Sequence, residues 1–165
     1  MKRGCLITAT LVGAASLFCV FYVRSCFHDP PDAEMILHFQ QHRSEFTEVT
    51  TMMNTEKDVV RITHGFTQDY MFRDAPVPAE RLKHYRDLMS ALSIVSINRT
   101  ESCVYLLTTN RGFAGSGSAK GYAFCSETPK KLVESLDVLR PPPPKFAHYF
   151  RSIEGNWYLL YIYAP

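Results

Sequence analysis

Ser102-Cys103-Val104-Tyr105-Leu106-Leu107-Thr108-Thr109 and, twelve residues on, Gly121-Tyr122-Ala123-Phe124-Cys125 decide how this chain is read. Both stretches are rich in aromatic and β-branched residues and are bounded by turn formers, which is the pattern of strands. If they form an antiparallel hairpin centred on Ala114, paired positions sum to 228. Tyr105 then faces Ala123 and Cys103 faces Cys125. A slip of one residue would send the two cysteines to opposite faces. In register, they are either a disulfide, which needs close Cβ atoms and an oxidising compartment, or two ordinary buried thiols.

Further strands are predicted around the hairpin. Phe146–Ile153 and Trp157–Tyr163 have the same composition, with Gly155 and Asn156 suited to the turn between them. A shorter β-branched candidate spans Asp58–Thr63 and is ended by Gly65. N-terminal to these the period changes. Met35, Phe39, His42, Phe46, Val49 and Met53 recur every three or four residues, predicting one amphipathic helix from about 33 to 53. Asp29-Pro30-Pro31-Asp32 reads as its start, since an Asp accepts from orphan N–H groups and a first-turn Pro forfeits no bond. Pro78 opens a second helix with Leu82, Tyr85, Leu88, Met89 and Leu92 on one side. Thr67–Pro78 reads as a loop. The expected fold is α+β: two amphipathic helices packed on a mainly antiparallel sheet of about four to five strands.

At the N-terminus, Cys5–Val23 reads CLITATLVGAASLFCVFYV, 19 residues with no charged side chain. A helix of that length spans roughly 28 Å, close to the ~30 Å hydrocarbon core of a bilayer. The competing reading is a cleaved signal peptide. Cleavage after Ala15 leaves a strongly apolar mature end, and Arg24 spoils a lipidation site at Cys26. The run is therefore read as an uncleaved transmembrane helix. Lys2 and Arg3 precede it and Arg24 alone follows before Asp29, Asp32 and Glu34, so the basic side stays cytoplasmic. The expected organisation is a cytoplasmic N-terminus (1–4), a transmembrane helix (5–23), a juxtamembrane linker (24–32) and an extracytoplasmic domain (33–165). In a bacterium this is a single-pass protein of the cytoplasmic membrane with a periplasmic domain.

The formal charge of the whole chain is +2. Without Lys2, Arg3 and Arg24, the 18 bases fall to 15 against 16 acids, about −1. Such a domain lacks the basic stripe of a nucleic-acid binder, and no nucleic-acid partner is expected.

Ala119-Lys120-Gly121-Tyr122-Ala123, Ser135-Leu136-Asp137 and Arg151-Ser152-Ile153-Glu154-Gly155-Asn156-Trp157-Tyr158-Leu159 resemble an uncharacterised family of small bacterial proteins that begin with a hydrophobic anchor or signal. The resemblance covers most of the exported domain loosely. It implies a bacterial source and a single domain, and no activity.

Motifs with chemistry attached are sparse. Gly112–Gly121 is glycine-rich, but Lys120 precedes a glycine and a strand, whereas a phosphate loop needs Gly-Lys-Ser/Thr opening a helix. It reads as a flexible hairpin loop in which Arg111 and Lys120 could attract an acidic partner. His38 and His42 have helical spacing for a metal but lack a third ligand and the zinc-protease glutamate; no metal and no cofactor are expected. There is no Gly-x-Ser-x-Gly elbow. Pro141–Pro144 reads as a polyproline II spacer. The binding surface is placed near Arg151, Glu154 and Trp157. The function expected is a binding or accessory module for another envelope protein, more a binder than an enzyme. The rival is an envelope hydrolase whose site is gathered from distant residues.

Overall fold

The hairpin register places the two cysteines face to face. In the computed structural model, which describes residues 29–68, 74, 77–113, 116–138 and 146–165, Cys103 pairs with Cys125 and Tyr105 with Ala123. The sum of 228 holds as far as Leu107 opposite Gly121 and becomes 229 from Thr109 opposite Lys120. Thr108 is the extra residue of a bulge, and its hydroxyl donates to the Lys120 carbonyl, 3.0 Å. A Cβ on Gly121 would come within 2.7 Å of Leu107 Cα, so the two backbones approach too closely for any larger residue.

The elements in chain order are α1 (Asp32–Gln41), α2 (Arg43–Thr55), β1 (Arg61–Thr63), β2 (Thr67–Gln68), α3 (Ala79–Ala91), β3 (Ser96–Arg99), β4 (Cys103–Phe113), β5 (Ser116–Cys125), β6 (Ala147–Glu154) and β7 (Trp157–Ala164). All the pairings are antiparallel, in the order β2-β1-β3-β4-β5-β7-β6. The α+β class stands, with corrections in detail. The sheet has seven strands rather than four to five, because two short, polar segments, β2 and β3, join it. The stretch read as a flexible glycine loop is mostly strand, since β4 runs to Phe113 and β5 starts at Ser116. Gly155, at φ +51°, makes the β6–β7 turn.

The expected first helix is two helices. His42, at φ −120° and ψ 28°, leaves helical geometry between them. Its N–H still reaches the carbonyls of His38 and Phe39, and its carbonyl accepts from Phe46, so the apolar stripe keeps its phase across the break. Met35, Phe39, Phe46, Val49 and Met53 are all buried. Thr47, Thr50, Thr51 and Thr55 in α2 each donate to a carbonyl three or four residues earlier, which is how so many β-branched hydroxyls sit in one helix. In α3, Tyr85, Leu88 and Met89 face the core.

Strand alternation sorts the sheet into two faces. One carries Ile62, Ile97, Val104, Leu106, Tyr122 and Leu159 and shares a core with the three helices. Phe39, Phe46, Phe124 and Trp157 meet there at centroid distances of 5.1–5.9 Å. The other face gathers Tyr105, Ala123, Phe150, Tyr158, Leu160 and the Cys103–Cys125 disulfide.

The chain divides into Met1–Pro30 and Pro31–Pro165. Among the described residues no helix is long and apolar enough to cross a membrane; the run 5–23, the cytoplasmic N-terminus and the Pro141–Pro144 spacer lie outside them.

Candidate functional site

Lys120 is not a loop cation. It stands two residues from Tyr122 on β5 and therefore points to the same, helix-covered face, where it is 2% exposed. Burying an ammonium demands anionic partners, and two supply them: Nζ lies 2.8 Å from Asp32 Oδ1 and donates to Asp137 Oδ1, 2.8 Å. Asp32 is itself completely buried. Its Oδ2 accepts from Arg151 Nη1 at 2.9 Å, from the Leu136 amide at 2.7 Å and from the Ser135 hydroxyl at 3.0 Å. Burial pushes the Asp32 pKa up, but the bonds from Lys120, Leu136 and Arg151 outweigh it and hold the group at about 2.

Asp32 opens α1 but does not cap it. Its amide N–H donates to the Asp137 carboxylate, 3.0 Å from Oδ2, across 105 positions of sequence. The helix is capped from another part of the chain, and Pro31 supplies no side-chain bond. Two cations and two carboxylates thus join α1, β5, β6 and the 135–137 segment into one neutral knot.

Arg151 belongs to that knot, and Glu154 and Trp157 do not. Past a bulge between Ser152 and Glu154 at the end of β6, Glu154 Oε1 lies 2.6 Å from Arg43 Nε of α2. Trp157 is buried beneath the same place against Phe39, Phe46 and Phe124. Arg43, Ser44, Thr47, Glu48 and Trp157 line an open recess of about 580 Å³. Glu48 also meets His84 Nε2 of α3 at 2.7 Å. A carboxylate–imidazole pair could activate a hydroxyl, but Ser44 Oγ donates to Glu45 Oε2, 2.7 Å, and not to the imidazole. Of the sequence-derived surface, then, Glu154 and Trp157 come together, Arg151 and Lys120 are drawn into the knot, and Arg111 lies on β4 opposite Ser118.

His38 and His42 have separate partners: His38 Nε2 donates to the Leu92 carbonyl at 3.3 Å, and His42 Nδ1 faces Glu45 Oε1 at 3.5 Å. Among the described residues no three metal-binding side chains cluster.

Sequence reasoning missed Arg43 and Glu48 because each, on its helix, reads as ordinary solvated charge. It missed Asp32 and Asp137 as partners of Lys120 because nothing in one sequence pairs residues this far apart. One signal was available: if the strand is extended back to Ser116, Ala119, Gly121, Ala123 and Cys125 form one face and Lys120 falls on the other with Tyr122.

No family model matches the chain, and no curated protein and no solved structure shows significant similarity to it.

Proposed function

We propose that this is a single-pass protein of the bacterial cytoplasmic membrane whose extracytoplasmic domain binds another envelope protein as an accessory module. The observation that carries the binding reading is the recess over Trp157. It is open, Trp157 is part of its lining, and the Arg43 and Glu48 that line it are held in exposed pairs with Glu154 and His84. Exposed ion pairs hold their geometry weakly, about 0–1 kcal/mol each, so a partner's side chains can replace them. Tryptophan and arginine are also the residues on which protein interfaces concentrate binding energy. The exported location is supported by the apolar run and by the Cys103–Cys125 disulfide, a bond that persists in oxidising compartments. The hydrolase alternative lacks, among the described residues, a hydroxyl held against the Glu48–His84 pair.

A photo-crosslinking residue at Thr47 of the full chain tests the proposal in intact membranes. One discrete adduct with a second envelope protein, abolished by Arg43→Glu, is expected. Recovery of self-adducts or lipid adducts alone would reject it.

A further inference from the structure

Asp32 ties the start of α1 to Lys120 of β5, to Arg151 of β6 and to the Asp137 carboxylate, and it follows the end of the apolar run at Val23 by only nine residues. Fully extended, nine residues reach at most about 32 Å. A helix at 5–23 that spans a bilayer therefore keeps the β6 side of the domain within that reach of the lipid surface.

Apolar side chains stand out in solvent on that side. Val138 and Phe146, 74% and 62% exposed, are the most exposed large hydrophobic residues among those described, and Leu132 is 49% exposed. All three flank β6, the last strand of the sheet order. Val138 adjoins Asp137, Phe146 is the residue before β6, and Leu132 pairs in parallel with Phe150. Leu37 stands apart on α1, while Phe66 and Val95 lie beside β1 and β3, four or more strand spacings from β6, or at least about 19 Å.

Single exposed apolar residues are ordinary, but three around one strand next to a membrane tether form a surface. Their positions are fixed by the fold. The Phe150 N–H donates to the Lys131 carbonyl at 2.9 Å and the Val133 N–H to the Phe150 carbonyl at 2.8 Å, which pins Leu132 between them. The Phe146 ring meets the His148 imidazole at a centroid distance of 5.0 Å, and Lys120 holds the Asp137 carboxylate beside Val138. Charge supplies no net attraction here, since exposed Lys130 and Lys131 are offset by exposed Glu127 and Glu134. Lys131 lies over the Tyr149 ring, 5.4 Å from its centroid. A long-stemmed cation beside a tyrosine suits the zone where lipid tails meet water.

We propose that Leu132, Val138 and Phe146 enter the interfacial layer of the same bilayer that holds the 5–23 helix, so that the domain sits on the membrane with its β6 edge down. This seating rests on the transmembrane reading and not on the partner reading. The apolar contact removes from water the side chains that folding leaves exposed.

The test is methyl NMR of the full chain, ¹³C-labelled at Leu and Val, in phosphatidylcholine nanodiscs that carry a nitroxide at the fifth carbon of some acyl chains. Relaxation of the Leu132 and Val138 methyls about threefold or more faster than that of Val95 is expected. The double variant Val138→Asp with Phe146→Asp, altered only at exposed positions, should bring the Leu132 methyls down to the Val95 level. Equal relaxation at Leu132, Val138 and Val95 in the unaltered chain overturns the seating. So does a response to a headgroup nitroxide with none to the acyl nitroxide, which means that the edge only hovers, or a contact that appears only when phosphatidylglycerol is added, which means that charge and not apolar surface makes it. Alkaline carbonate extraction of cell membranes tests the anchor separately. Release of the chain overturns both the transmembrane reading and the seating, whereas retention without acyl contact overturns the seating alone.

Discussion

At Asp32, one carboxylate answers for two buried or half-buried cations and two neutral donors. Removing one member of such a group is costlier than the group is worth, because the charges left behind remain desolvated. Asp32→Ala is expected to destabilise the domain by about 3–5 kcal/mol in denaturant unfolding. The same carboxylate sets an acid limit. Its folded-state pKa of about 2 lies below the ~3.9 of an unfolded Asp, so its contribution, about 2 kcal/mol, is complete above about pH 4 and is lost as pH falls toward about 2. Unfolding midpoints of the full chain in detergent, compared between pH 6 and pH 2 with those of Asp32→Asn, should show this drop in the unaltered chain and its loss in the variant. An equal slope in both would place the acid sensitivity elsewhere. In sequence, Asp32 is legible only as a helix-start residue. That it faces inward depends on Lys120 and Arg151, whose positions are fixed by the sheet.

At the scale of elements, what could be read in advance was the local pairing, and what could not was the pairing of distant or weakly patterned segments. The β4–β5 hairpin follows from composition and a turn, and its register placed Cys103 against Cys125 as far as the bulge at Thr108. The bulge left no mark in the sequence, since Leu107-Thr108-Thr109 reads as ordinary strand. Ser96–Arg99 is four residues long and polar at all but Ile97, so β3 becomes a strand only because β1 and β4 flank it. His42 ends α1 with neither Pro nor Gly to signal it. The disulfide gives a direct measurement at this scale. Of the five cysteines, the denatured, unreduced chain should expose three titratable thiols, those of Cys5, Cys19 and Cys26. Reduction should raise the count to five and lower stability by about 2–4 kcal/mol. A count of five before reduction would reject the bridge.

For the whole molecule, the α+β class and the antiparallel sheet were legible because the hydrophobic period shifts along the chain, from mainly helical in the first half to alternating in the second. The proposed binding surface was legible only in part. Trp157 and Glu154 are conspicuous beside the Gly155-Asn156 turn, whereas Arg43 reaches them from α2, at the other end of the domain's sequence. Topology is the remaining question at this scale, and alkaline phosphatase fused to the C-terminus addresses it. The proposed orientation predicts an active fusion in intact cells, and an inactive one would place the domain in the cytoplasm.

The knot at Asp32 also governs where the domain can be cut free. A fragment beginning at Asp29 keeps the carboxylate that faces Lys120 and Arg151, together with the amide that the Asp137 carboxylate caps. A fragment beginning at Ala33 takes away one negative charge from a balanced set of four, leaving a surplus positive charge inside the fold. The compact unit begins at Pro31, and a fragment beginning at Ala33 is expected to be less stable than one beginning at Asp29, by comparison of their unfolding midpoints.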